Sequence, residues 1–213
     1  MKRLIALLLA ALMLLCCGCG QTESELQSHD QGEDKNSTLE VPVAPDMIVD
    51  KVLKDGATKD VTVVIHGEEE EIPMAPVSGS FDHAGGPKFE LLVDLSRYQI
   101  NDVGGYCYIT LPTGMSGDVY VELGFREGVS ADSIGTEILD EYGVMGAKDE
   151  PVKEWLGDLY VKHIRGETIQ NVFDVYLIDT KGGCMTAVMS TTSETKAHRA
   201  RLTASLETLE IIE

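Results

Sequence analysis

Four groups of side chains in this chain have residue types and spacings that could do chemistry. Ser193-Glu194-Thr195-Lys196 spells Ser-x-x-Lys, which on a helix sets a hydroxyl one turn from an amine able to take its proton. Ser193 and Lys196 would then serve a cell-envelope hydrolase. The companion motifs Ser-Asp-Asn and Lys-Thr-Gly do not occur, and Thr180-Lys181-Gly182 runs in the wrong order. The simpler reading is that Ser193 caps a helix and Lys196 faces water. His66-Gly67-Glu68-Glu69-Glu70-Glu71 gathers an imidazole and four carboxylates, with His66, Glu68 and Glu70 as a candidate divalent-cation set. A hard cation needs about six to eight converging oxygens, whereas side chains alternate across a strand, so only some of these could meet. A solvated hairpin tip, guarded by charge against edge-to-edge pairing, is the plainer expectation. Asp82-His83, in the Gly-rich stretch 78–87, could add ligands from a loop. No metal is assigned.

Cys107 and Cys184 are the two thiols outside the N-terminal region. Either they pair, as cysteines outside the cytoplasm often do, or they sit as small buried apolar residues. Tyr106, Tyr108 and Tyr120 could share one sheet face and, with Trp155 in the loop 151–157, offer an aromatic surface to a sugar or a peptide. Cross-strand packing explains the tyrosines equally well. Asp140-Glu141 and Asp149-Glu150 do not read as a glycosidase pair, because nothing in the sequence sets their separation. Beyond the N-terminal region there is no Gly-rich phosphate loop, Cys-x-x-Cys or His-Glu-x-x-His. The reading is of a non-catalytic chain without a cofactor.

Charge narrows the partners. Seventeen Lys and Arg stand against 36 Asp and Glu over 213 residues, a formal charge of −19. Nucleic-acid binders gain most of their affinity from cationic side chains on phosphates, so that class is excluded. The folded surface is equally unsuited to docking on anionic lipid.

The N-terminus makes a different membrane connection. Lys2 and Arg3 precede twelve apolar residues, 4–15. As a helix these reach about 18 Å, short of a hydrocarbon core of roughly 30 Å, so the segment fits a secretory signal better than a span. Cys16-Cys17-Gly18-Cys19-Gly20-Gln21 follows. This resembles the lipobox of bacterial lipoproteins, with Gly18 as the small residue before the cleavage point. The resemblance implies residues 1–18 as signal peptide and Cys19 as the lipidated first mature residue. Cys16 departs from the pattern, which has an aliphatic residue three positions upstream; Cys17 is the fallback, a poorer match with Cys16 before it and Leu14 further up. Two or more acyl chains give stable anchoring where one gives only marginal binding.

Residues 20–46 carry seven acidic side chains against Lys35 and no Phe, Trp or Tyr. Such a segment cannot bury enough surface to offset its ordering entropy. Residues 19–46 are therefore read as lipidated cysteine and disordered acidic stalk, and 47–213 as one domain. Within it, Val61 to Ile65 is dense in β-branched residues and His66-Gly67-Glu68 turns the chain into a hairpin. Phe89, Leu91 and Val93 alternate, as do Cys107, Ile109 and Leu111, and then Val119, Val121, Leu123 and Phe125. At Ser130 the period changes: Ile134, Ile138, Leu139 and Tyr142 form a helical stripe, with Asp132, Glu137 and Glu141 outside. Strands return over 158–164, 172–180 and 184–190, before a final helix capped by Ser193 and a short strand at Leu209 to Ile212.

This order predicts an α+β fold, a mainly antiparallel sheet of about six to eight strands with two or more helices packed on it. The 89–94 strand with Tyr98, the Ser130-Ala131-Asp132-Ser133 helix start, the 174–179 strand and the 205–211 close resemble a group of small bacterial lipoproteins and the PsbP-like α/β fold. That resemblance implies a binding or assembly module and carries no catalytic residue with it. The expectation is a lipid-anchored lipoprotein facing outside the cytoplasm at the cell membrane. Its partners would be the membrane, through the lipid, and an envelope protein or small ligand.

Overall fold

Period-two alternation of Val, Ile, Phe and Tyr yields strands that bury one face, and here two sheets bury those faces against each other. A computed structural model describes residues 51–52, 58–112, 117–143, 146–152 and 158–212. All lie in the second of the chain's two units, Val41–Glu213. The strands are β1 (Lys51–Val52), β2 (Lys59–Ile65), β3 (Glu68–Ser80), β4 (Lys88–Val93), β5 (Gln99–Val103), β6 (Tyr106–Thr110), β7 (Tyr120–Glu127), β8 (Lys148–Glu150), β9 (Lys162–Glu167), β10 (Asn171–Thr180), β11 (Gly183–Thr192) and β12 (Glu210–Ile212). The helices among the described residues are α1 (Ala131–Tyr142) and α2 (Lys196–Glu207). The larger sheet runs β5-β6-β7-β11-β10-β9-β8; the smaller runs β1-β3-β4-β12, with β2 also on β3. Every described pairing is antiparallel.

The fold is thus α+β and mainly antiparallel, as the element order predicts; the addition is a second sheet. β3 makes it. This strand pairs with β2 through Glu68–Met74 and with β4 through Ala75–Ser80. Pro73 and Pro76 bracket the changeover, where a residue lacking an N–H loses least. At the β2–β3 turn, His66 (φ 55°) and Gly67 (φ 89°) are both left-handed, the pair that matches a two-residue hairpin to strand twist.

Between the sheets lies the main core. Val77, Phe89, Leu91 and Val93 meet Cys107, Ile109, Val121, Leu123, Tyr176, Ile178, Met185 and Met189, with Leu202 and Leu206 of α2. The opposite, outer face of the larger sheet is covered in part by α1, through Ala131, Ile134, Val175, Leu177 and Cys184. A third cluster joins Ala204 of α2 to Val63, Ile65, Ile72 and Met74. Alanines on that helix face allow the β2–β3 ribbon to approach closely.

Two buried aspartates hold α2 in place. Asp174, fully buried on β10, accepts from Arg199 Nη2 at 2.5 Å, and its Oδ1 lies 2.9 Å from His163 Nε2 and 3.5 Å from Arg165 Nη1. On the other side Asp94 Oδ2 stands 3.5 Å from Arg201 Nε, while Arg201 Nη2 reaches Glu70 at 3.2 Å. The Tyr160 hydroxyl donates to the Leu206 carbonyl at the helix end.

Candidate functional site

Among the described residues α1 covers the outer face of the larger sheet only in part, and the reason lies in how this helix is fastened. Ser130 caps this helix, accepting from Ser133 N at 3.3 Å, and Asp179 Oδ1 accepts from Ala131 N at 2.7 Å. A carboxylate there satisfies an N-terminal donor and suits the helix dipole. Arg126 pairs with Glu137, and Lys162 with Asp132. The Lys162 stem runs under Gly135, where a β-carbon would stand 2.6 Å from Lys162 Cδ. These fastenings seat the N-terminal half on the sheet. Toward the C-terminal end Ile138 is half-buried and Tyr142 is 37% exposed.

Beneath that end is a cavity of about 340 Å³. Ile138 and Tyr142 form one wall, Phe173, Val175 and Val188 the floor, and Tyr120, Ser190, Thr168 and Asn171 the rim. Phe173 lies across Gly166 of the neighbouring strand, so close that a β-carbon there would be 2.0 Å from the ring. Tyr142 meets Phe173 at 6.4 Å between ring centres. The turn after β9 is braced by Thr168, whose Oγ1 accepts from Asn171 N at 2.9 Å. Ile169, at its tip, is fully exposed. Asn171 Oδ1 is buried and has no hydrogen-bond partner among the described residues.

Tyr106, Tyr108 and Tyr120 do share this outer face and lead up to the cavity, consecutive ring centres 6.3 Å apart. Their planes meet at 52° and 61°, so each ring leans its edge on the next and no flat sugar platform results. Tyr106 lies over Gly124. Carboxylates surround the phenols. Partial burial raises the Tyr108 phenol to about 12, assisted by its hydrogen bond with Glu122 and by that residue's charge. Burial also raises Tyr120, with Glu122 and Asp118 adding to it while the Ser190 hydrogen bond opposes. Tyr142 is raised first by its hydrogen bond with Glu141 and by that carboxylate's charge. Inside the core burial raises Tyr98 and Tyr176 as well, and there arginines stand beside the carboxylates Asp94 and Asp174 and partly offset them.

The other sequence-derived candidates fare differently. Ser193 is exposed in the turn before α2, and Thr195, not Ser193, holds the capping position. Thr192 N donates to Thr195 Oγ1 at 2.9 Å, which tightens that turn and starts the helix at Lys196. Ser193 and Lys196 therefore do not stand one helical turn apart. His66, Glu68 and Glu70 do not form a cation cage. Among the described residues no three His, Cys, Asp or Glu side chains converge to hold a metal, and Glu70 is engaged by Arg201. Cys107 and Cys184 are free thiols rather than a disulfide. Cys107 packs between the sheets and Cys184 under α1, so the larger sheet separates them. Burial raises both, Cys107 to about 12 and Cys184 to about 11. Cys19, Trp155 and the His83 side chain lie outside the described residues.

Sequence reasoning did not find the Asp174 cluster or the pocket. Asp174 shares a strand face with Tyr176 and Ile178, and a charge at that period-two position was the available signal. Two arginines and the His163 imidazole occupy its carboxylate, so it positions α2. For the pocket, isolated glycines within strands, Gly124 and Gly166, were the clue to overlying rings. No family model, curated protein or solved structure matches this chain.

Proposed function

We propose that this protein is a lipid-anchored lipoprotein of the cell envelope, held at the membrane outside the cytoplasm by Cys19. It works as a non-catalytic binding or assembly module, presenting the outer-face pocket to a small ligand or to a side chain of an envelope protein. The observation that carries the binding part is the make-up of the pocket. Aromatic and aliphatic walls surround a few hydroxyl and amide groups, the composition by which concave sites hold and orient a bound group. The anchoring part rests on Lys2, Arg3, the apolar run and Gly18-Cys19. Among the described residues no helix is long and apolar enough to cross a membrane.

Two measurements test this. Mass spectrometry of the mature N-terminus should find Cys19 carrying a diacylglyceryl group, and Cys19→Ala should release the protein from washed membranes. An unmodified Cys19 would overturn the anchor. For the pocket, a neutral aromatic probe, phenethyl alcohol, should perturb amide signals around Phe173 and Val188. If neither it nor any charged analogue perturbs them, the binding reading fails.

A further inference from the structure

Two carboxylates flank this pocket, whose lining is itself uncharged. Glu122, on the outer face of β7, pairs across from Val188 of the floor, and Glu141 holds the Tyr142 hydroxyl. Neither has a Lys or Arg in salt-bridge range among the described residues. The nearby cations are already engaged, Arg126 by Glu137 and Lys162 by Asp132 and Asp149. Asn171 adds a buried acceptor lacking a donor. Aromatic faces attract cations through their quadrupoles, and carboxylates add to that attraction. Resting on the reading of this pocket as a binding site, we infer that it takes an amphipathic organic cation. The apolar body fills the space over Phe173 and Val188; the protonated amine sits at the rim between Tyr142, Glu141 and Glu122.

The same geometry offers a rival occupant. Ile169 stands fully exposed beside the pocket, and a knob next to a hole is self-complementary under two-fold symmetry. The charge argues for the cation. A second copy carries the same net charge of −19, whereas an amine offsets the carboxylates beside the pocket.

The test titrates three probes of one shape and different charge, phenethylamine, phenethyl alcohol and phenylacetate, into the purified protein, followed by amide chemical shifts. The amine should bind tightest, with Kd on the order of 1 mM, and the carboxylate weakest. Glu141→Gln and Glu122→Gln should each weaken the amine by about 2- to 5-fold, as expected for partly exposed charge pairs, and leave the alcohol unchanged. Tyr142→Ala, a change at an exposed position, should weaken both. Equal binding of amine and alcohol would overturn the cation inference while leaving the pocket a binding site. Absence of binding by all three would overturn both readings. Sedimentation of the protein alone decides the rival: a dimer that Ile169→Asp dissociates would also overturn the inference.

Discussion

Replacing Asp174 by Ala should show how much of this fold depends on one buried carboxylate. The residue is fully buried on the inner face of β10 and binds across two elements, to His163 and Arg165 of β9 and to Arg199 of α2. Removing one member of a buried charged cluster costs about 3–5 kcal/mol, because the partners are left without compensation. Here the lower end applies. Arg165 and Arg199 keep side-chain exposures of 34% and 26% and can turn partly to water. His163, at 4%, cannot, and it carries a second unpartnered atom at Nδ1. The expected loss is about 3 kcal/mol, or roughly 6–12 °C in melting temperature for a domain of this size. Urea unfolding at neutral pH, followed by far-ultraviolet circular dichroism, reads the loss as a lower midpoint with an unchanged slope. A cycle with Arg199→Ala should return a coupling above about 1 kcal/mol, since the pair shares one hydrogen bond. A loss below about 1 kcal/mol, the level of a surface ion pair, would refute the claim that Asp174 fastens α2.

Three further outcomes follow from the same geometry. Burial, with Arg97 and Arg201 nearby, holds the His198 imidazole below its ordinary range, and its Nδ1 lies 2.9 Å from the Tyr98 hydroxyl. The folded state therefore binds this proton less readily than the unfolded chain. Stability from His198 is full above the unfolded value of about 6.5 and declines as pH falls through the lowered folded value; melting between pH 7 and 5 should show the decline, and His198→Gln should flatten it. Alkylation of the native protein should spare Cys107 and Cys184, whose burial keeps them as thiols, and should reach both in urea; a Cys107–Cys184 peptide in a non-reducing digest would contradict the separation by the sheet. Gly166→Ala should drive Phe173 from its place, at a cost of about 1–3 kcal/mol for overpacking, and should alter probe binding in the adjoining pocket, both readable by melting and amide shifts.

Much of the fold was legible because burial in a two-sided sheet leaves a period-two imprint. Phe89, Leu91 and Val93 mark β4, and Val121 and Leu123 mark β7, each nearly inaccessible as their alternation requires. Ser130 marked the start of α1 through a local capping bond, which needs no distant partner. The elements that sequence missed lack such an imprint. β5, Gln99–Val103, is half-exposed along most of its length, and β8 is three polar residues, Lys148–Glu150; both are edge strands whose pairing comes from a neighbour. Ser193 reads as the cap of α2, yet Thr195 holds the capping position and the helix starts at Lys196, because Thr192 and Thr195 close a turn first.

The sites divide along the same line. The acidic charge, the signal-like N-terminus, the alternating strands and the Ser130 cap were readable from the chain, because they depend on composition or on residues a few positions apart. Tertiary structure alone decided which distant residues meet. It placed Cys107 and Cys184 on opposite faces of one sheet, gave Glu70 to Arg201, closed two arginines and an imidazole around Asp174, and left a pocket where α1 lifts from β10 and β11. Register sets such meetings, and a one-residue slip in pairing turns every side chain of a strand to the other face. That information belongs to the assembled sheet, and no single strand carries it.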